Sequence, residues 1–167
     1  MRKFFLLGAI VVLASSFSAT AQADTGLGFL YTDAPVGVFF DLDGQYIHVG
    51  VGFDKNDVPE GSGAVETEFT VAGAWMKDMW ENGDSGFGPS VGVMFNSRSP
   101  EGDGDGDSMT HISVGLRGHW NPVSSFSFWV GHGLAIDLYS PPVGDSTTDF
   151  SLTGANVTDM GFTWWLP

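Results

Sequence analysis

The densest run of side chains that could bind a ligand is the acidic segment 101–107, with the sequence Glu-Gly-Asp-Gly-Asp-Gly-Asp. Asp103, Asp105 and Asp107 alternate with glycines, and carboxylates on a flexible backbone can surround Ca²⁺ or Mg²⁺ with oxygen ligands. The spacing differs from an EF-hand loop: counting from Asp103, position six is serine and position twelve is valine. We expect either a mobile acidic loop or a weak divalent-cation site on these aspartates, and no other cofactor.

Arg117 is a second candidate for a functional residue. A guanidinium enclosed in a narrow interior needs carboxylate partners. A buried guanidinium without such a partner would destabilise the folded protein by roughly several kcal/mol. Strand alternation predicts that Asp41 and Asp159 face the same interior as Arg117, so we expect a salt bridge among them. The bridge could be purely structural, or it could be a gate that opens on rearrangement.

His111-Ile112-Ser113 puts a histidine and a serine on one face of a strand, as an acyl-transfer pair requires. The motif resembles the His-x-Ser of the barrel lipid A deacylases. Here Val114 stands where that family has an asparagine, and no acidic partner can be assigned from the sequence. We therefore expect no enzymatic activity, with lipid modification as an alternative.

The first 23 residues read as a secretory signal peptide. Positive residues open it, an apolar stretch too short to span a bilayer follows, and Ala21-Gln22-Ala23 is an A-x-A cleavage signal. We expect segment 1–23 to be removed and segment 24–167 to form one domain. The mature chain keeps four basic residues against all 20 acidic ones, a net charge of −16. Such a charge excludes nucleic acid as a partner.

Eight segments alternate apolar residues with glycine, serine, alanine or polar residues. Period-two alternation predicts β-strands, and small residues suit the narrow interior of an eight-stranded barrel. The apolar face is therefore predicted to point outward. Its members include Val36, Val38, Phe40, Val49, Val91, Val114, Val130 and Leu134.

The phase of the alternation locates the turns. It changes at Asp33-Ala34-Pro35 and at Asp43-Gly44 and stays constant from Phe150 to Leu166, which predicts one long final strand. His132 falls on the apolar face, and a bulge near Gly131 or Gly133 would be the expected reason. The predicted loops at one end are 32–35, 55–64, 97–108 and 141–148, and the turns at the other are 43–44, 77–85 and 121–124.

Aromatic residues cluster at both predicted ends of the strands. Trp75, Trp80, Trp120 and Trp164 mark the end with the short turns, and Phe53 and Phe95 mark the end with the longer loops. Two such girdles are typical of strands that cross a membrane, because amphipathic rings prefer its interfaces.

This pattern resembles the small eight-stranded outer-membrane β-barrel proteins of the OmpA, OmpX and OmpW type. The resemblance implies an all-β, transmembrane, antiparallel up-and-down barrel in a bacterial outer membrane, with both termini in the periplasm. It also implies contact with outer-membrane lipid and lipopolysaccharide and insertion by the barrel-assembly machinery. The chain departs from the family in ending on Trp164-Trp165-Leu166-Pro167, where an aromatic residue is usual.

The expected function is structural or surface-interacting, with acidic outer loops that bind divalent cations. A narrow pore for small solutes is one alternative. Another is a soluble periplasmic barrel, in which the apolar face would line a ligand pocket instead of meeting lipid.

Overall fold

A computed structural model describes residues 24–30, 34–56, 64–100, 105–151 and 158–167. The predicted signal peptide lies outside these ranges. The strands are β1 (Asp24–Leu30), β2 (Ala34–Asp41), β3 (Gln45–Lys55), β4 (Val65–Lys77), β5 (Trp80–Asn82), β6 (Ser85–Pro100), β7 (Asp107–Val123), β8 (Phe126–Ser140), β9 (Thr147–Ser151) and β10 (Thr158–Trp165). Within the described ranges, no helix has the length and apolar character needed to cross a membrane.

The sheet closes on itself into a barrel. Antiparallel pairings run from β10 through β1, β2, β3, β4, β6 and β7 to β8, and β8 pairs with β10. The short β5 pairs only with β6. β9 pairs with the same edge of β8 as β10 does, farther along β8. The wall therefore has eight strand positions, and the predicted eight-stranded antiparallel barrel is confirmed. We call the end with Asp24 and Trp165 the lower end and the enclosed space the lumen.

The turn between β2 and β3 lies where the change of phase predicts it. Asp43 and Gly44 have positive φ angles of 59° and 76°. A two-residue hairpin turn whose twist matches the flanking strands needs positive φ at both central positions, which Asp-Gly tolerates better than most pairs. The Leu42 N–H donates to the Gln45 C=O at 2.8 Å and closes the turn.

The two faces of the wall have opposite polarity. Val114, Leu116 and Val130 on the outside are 53%, 58% and 55% exposed, whereas Asn96 and Arg117 inside are buried. Val38 and Phe40 are exceptions: both were predicted to be exposed on the outside, and both are buried. Val38 nevertheless pairs with the outward Leu27 and Val49, so the register itself is as predicted.

The prediction of one uninterrupted final strand is wrong. Ser151 of β9 pairs with Ala135 of β8, and Thr158 of β10 pairs with His132 of β8. The chain therefore advances by seven residues from β9 to β10 while the pairing advances by only three residues along β8. Six residues lie between β9 and β10 in the chain, whereas only two lie between their partners Ala135 and His132 on β8, a difference of four. Because four is even, the inward and outward alternation keeps its phase, and the sequence pattern gives no sign of the break.

Two further expectations are corrected by the register. β7 and β8 pair without interruption from Ser108 to Trp120, so β8 has no bulge at His132 against β7, and the His132 side chain is exposed on the outer wall. β6 extends to Pro100 and β7 begins at Asp107, so the connection between them is 101–106. The predicted loop 97–108 was longer because its polar residues carry no apolar alternation.

Candidate functional site

The lower half of the lumen is filled by a cluster that we call the aromatic plug. It consists of Phe39, Tyr46, Met76, Trp129 and Trp165. Tyr46 lies on β3 and Trp129 on β8, on opposite walls of the barrel, yet their ring centroids are 5.0 Å apart. Phe39 stacks on Trp129 at 5.7 Å. The lumen is therefore closed at this level by rings that touch across it.

Short polar side chains anchor the two indoles of the plug. Trp129 Nε1 donates to Thr163 Oγ1 at 2.9 Å, and Trp165 Nε1 donates to Ser127 Oγ at 2.6 Å. Thr163 and Ser127 are almost completely buried. Because a buried indole N–H usually needs an acceptor, these hydroxyls fix the ring positions. The alternation predicts the inward direction of Ser127 and Trp129 but does not predict that their neighbours would meet.

Below the plug, a buried acid–base pair joins a connection to the wall. Asp78 Oδ2 lies 3.0 Å from His119 Nε2, and the two side chains are only 7% and 2% exposed. His119 Nδ1 faces Asn121 Oδ1 at 3.2 Å, and the Tyr46 hydroxyl is 3.4 Å from Nε2. The carboxylate accepts from the imidazole, and the pair ties the β4–β5 connection to β7.

The sequence did not predict the contact between Asp78 and His119, because Asp78 lies in a predicted turn and outside the strand alternation. Gly86 on β6 provides the necessary space. A Cβ at this position would lie 2.6 Å from His119 Nε2 and 2.8 Å from both carboxylate oxygens of Asp78. The pairing of Gly86 with His119 comes from the register of β6 and β7, so the sequence alone gave no signal that identified the acid.

A cavity of about 310 Å³ opens beside the plug at the lower end. Asp24, Asp41 and Asp84 line it together with the aromatic residues Tyr46 and Trp165. We call it the lower cavity. It combines negative charge with aromatic surface, the combination that recognises an ammonium group.

Arg117 is buried inside the barrel, as predicted. It pairs with Gly131 on β8, and Gly131 pairs with Asp159 on β10, so these three residues form one row with a glycine in the middle. The side chain of Asp159 lies outside the described part. Asp41 accepts a hydrogen bond from the Gly44 N–H at 3.1 Å. The predicted bridge to Asp159 fits the register and stays a prediction.

The upper lumen is polar. Asn96 Nδ2 donates to Glu68 Oε1 at 2.5 Å and to Thr70 Oγ1 at 2.9 Å, which joins β4 to β6. His111 Nδ1 lies 2.5 Å from Asp137 Oδ1 on the neighbouring strand. Because a carboxylate can only accept, Nδ1 carries the hydrogen. No hydrogen bond joins His111 to Ser113 among the described residues, so the observed partner of the histidine is Asp137.

The upper rim is held by an ion pair across the β6–β7 hairpin. Arg98 donates from Nε and Nη2 to the two oxygens of Asp107, both at 2.8 Å, and the Tyr139 hydroxyl donates to the same carboxylate at 2.9 Å. This rim lies above Phe95 of the upper girdle. The hydrogen bonds from Arg98 lower the pKa of the Asp107 carboxyl below its ordinary value of 3.8.

The predicted divalent-cation site is described only in part. Asp103 lies outside the described residues, Asp105 is exposed, and Asp107 is bound by Arg98 and Tyr139. Among the described histidines and acids, no group of three is arranged to hold a metal ion. A cation bound by this loop would have to compete with the guanidinium for Asp107.

All six girdle residues lie on the outside of the barrel. Trp75, Trp80, Trp120 and Trp164 are exposed at the lower end, and Phe53 and Phe95 are exposed at the upper end. Outward rings on neighbouring strands pack on each other, including Trp120 with Phe128 at 5.8 Å and Trp80 with Phe87 at 5.5 Å. Both predicted sets therefore lie on the outer surface of the barrel.

The chain matches no protein-family model, no curated protein and no solved structure. The structure establishes a closed eight-stranded antiparallel β-barrel with an apolar outside, an aromatic lower lumen and a polar upper lumen.

Proposed function

We propose that this chain is a small integral outer-membrane β-barrel protein without enzymatic activity, which presents acidic loops at the cell surface. The observation that carries the proposal is the polarity of the wall, whose exposed outer side chains are apolar over most of the strand length. Burying apolar surface gains roughly 25 cal/mol per Å², and soluble monomers rarely expose apolar patches of more than a few hundred Å². A bilayer would cover this surface.

Closure of the sheet supports the same location. In hydrocarbon every backbone polar group needs a partner within the protein, and a closed barrel meets this requirement without a free edge. The girdles at both ends of the apolar band support it as well. A soluble ligand-binding barrel would instead need its apolar face around a pocket, whereas the upper lumen holds Glu68, Asn96 and the His111–Asp137 pair.

The aromatic plug favours a structural or surface role over transport. Phe39, Tyr46 and Trp129 touch across the lumen, which leaves no water column at that level. The acidic outer loops would carry the function by binding divalent cations, which can link them to the phosphates of lipopolysaccharide. A narrow pore is the second candidate, favoured by the polar upper lumen, and it would require the plug to move.

Gel mobility in SDS tests the barrel in its membrane. We expect the extracted protein to migrate as a compact band when unboiled and to shift after boiling, and to sediment with the outer membrane. Recovery in the soluble periplasmic fraction would contradict the proposal.

Tryptophan quenching by brominated lipid tests which face meets the bilayer. Trp120 is 53% exposed on the outside and Trp129 is 4% exposed inside. In reconstituted vesicles, Trp120→Phe should reduce the fluorescence that the brominated lipid quenches, whereas the matched variant Trp129→Phe should remove only unquenched fluorescence. Equal effects of the two variants would contradict the assigned polarity. Stepwise conductance of the unmodified protein in planar bilayers would instead favour the pore.

A further inference from the structure

The lower cavity collects carboxylates that oppose one another. Asp24 and Asp41 are directly opposite on β1 and β2, and both line the cavity together with Asp84. Like charges in directly opposite positions of neighbouring strands destabilise a sheet. Asp41 is only partly exposed, so solvent screens its charge incompletely.

The surroundings of the cavity add further negative charge. Asp78 is 7% exposed, and its buried Oδ1 has no hydrogen-bond partner among the described residues. The titratable groups close enough to influence Asp41 are Asp24, Asp78 and the imidazole of His119, and this imidazole is already bonded to Asp78. Among the described residues that line the cavity, none is basic. The described lining therefore offers hydrogen-bond acceptors for an ammonium group and includes no ammonium group of its own.

We propose that removal of the signal peptide supplies this cation. Hydrolysis of the Ala23–Asp24 peptide bond consumes one water molecule and leaves a carboxylate on Ala23 and an α-ammonium group on Asp24. The new ammonium pairs with the carboxylates of Asp41 and Asp84 in the lower cavity. The proposal requires cleavage after Ala23 and the closed barrel. It does not require insertion into a bilayer, so it can fail or hold independently of the function proposed above.

The geometry of the strand pair brings the new charge within reach. Paired Cα atoms of antiparallel strands are about 4.5–5.5 Å apart, and the α-nitrogen is about 1.5 Å from its own Cα. The α-nitrogen of Asp24 thus lies close enough to Asp41 for its carboxylate to reach it. In the uncleaved chain the same nitrogen is a neutral amide, so the attraction exists only after processing.

The location connects this ion pair to closure of the barrel. The seam between the first and last strands begins beside Asp24, since Gly26 pairs with Trp165 and the Leu166 N–H donates to the Thr25 C=O at 2.8 Å. An ion pair at this point would hold the lower end of the seam together. We therefore expect its loss to appear in the thermal stability of the folded barrel.

The test uses the exported, processed protein, whose mass first establishes that the chain begins at Asp24. The α-amine is then converted to a ketone by transamination, which leaves lysine side chains unmodified. We expect the melting temperature to fall by about 2–4 °C, the size for roughly 1 kcal/mol in a domain of this length. In the Asp41→Asn variant the same treatment should change the melting temperature by much less. Asp54→Asn at the upper end is the matched control and should keep the full effect.

A second variant moves the amine without chemical treatment. Insertion of Gly-Ser between Ala23 and Asp24 displaces it by about 7 Å and should lower the melting temperature similarly. Equal effects in the wild-type and Asp41→Asn proteins, no effect in either, or a chain that begins elsewhere would overturn the proposal. Added spermidine should stabilise the transaminated protein only. Equal stabilisation of the free-amine protein would mean that the cavity takes an external amine, which would also overturn it.

Discussion

The lower and upper halves of the lumen are built from the same inward alternation but are occupied in different ways. In the lower half, large rings from opposite walls touch, and the polar groups around them are buried and paired. In the upper half, short polar side chains pair mainly with the adjacent strand, as Asn96 does with Glu68 and His111 with Asp137. Large side chains that touch across the lumen therefore close its lower half, whereas hydrogen bonds between neighbouring strands organise its upper half.

This difference indicates where stability and specificity reside. Contacts across the lumen connect strands that are distant in the sheet, so removing one of them should affect the whole barrel. Contacts along the wall repeat a connection that the backbone already makes, so removing one of them should matter less. The following predictions test this contrast.

Truncation of the plug should have the largest effect. Trp129→Ala removes a buried indole that contacts Phe39 and Tyr46 and leaves Thr163 without its donor. We expect a loss of about 3–5 kcal/mol, the usual range for a buried Trp→Ala change, measured by urea-induced unfolding in vesicles. The same variant should show conductance in planar bilayers if the plug is the only barrier. Stability within 1 kcal/mol of wild type, a rough threshold set by ordinary surface substitutions, would contradict the role of the plug.

Removal of Asp78 should have an intermediate effect. Asp78→Ala leaves the buried His119 Nε2 without its carboxylate and frees the β4–β5 connection from the wall. Leaving a buried polar group without its partner costs about 1–3 kcal/mol, which unfolding measurements would detect. His119→Ala should lose a similar amount, and the double variant should lose clearly less than the two single losses combined. Additive losses would show that the two side chains do not act as a pair.

Removal of Arg98 at the rim should have a small effect. The pair with Asp107 is partly exposed at the Arg98 side, at 39%, and exposed pairs contribute about 0.2–1 kcal/mol. Because the pKa of Asp107 is lowered below 3.8 in the folded protein, the pair contributes fully above that pH. The contribution should disappear as the pH falls through the lowered value. The difference in stability between wild type and Arg98→Ala should therefore shrink in acid, and a difference that grew in acid would contradict this assignment.

The acidic loop should affect cation binding most, and of its aspartates Asp103 and Asp105 should affect stability least, because Asp107 belongs to the pair with Arg98. The triple variant with Asp103, Asp105 and Asp107 changed to Ala should lose Ca²⁺ binding measured by calorimetry in the millimolar range. The pair Asp103→Ala and Asp105→Ala keeps the Arg98–Asp107 contact and serves as the matched control. If chelator and both variants leave cation binding and stability unchanged, the loop is not a cation site.

Much of the fold could be predicted from the sequence because alternation is a local property. A strand places successive side chains on opposite faces, so the phase of the apolar residues gives the inward and outward sets, as it does for Val114 and Arg117. Turn chemistry is local as well, and Asp43-Gly44 identifies its hairpin. An even insertion leaves the phase unchanged, which is why the break between β9 and β10 could not be detected.

The partners of the inward residues could not be predicted in the same way. Alternation states that His111, His119 and Trp129 face the lumen, but it gives neither their height nor their neighbours across it. These depend on strand register and on the way the sheet closes. Asp78 was missed for a related reason, because a residue in a connection follows no strand pattern.

The sequence by itself therefore determined the strand class, the polarity of the two faces and the strong negative charge, since these follow from residue type and local spacing. Only the tertiary structure decided that Tyr46 and Trp129 meet across the barrel, that Asp78 pairs with His119 and that Asp24 lies opposite Asp41. The physical reason is that closing the sheet brings residues far apart in the chain within a few ångströms, and their separation is set by the register of all eight strands together.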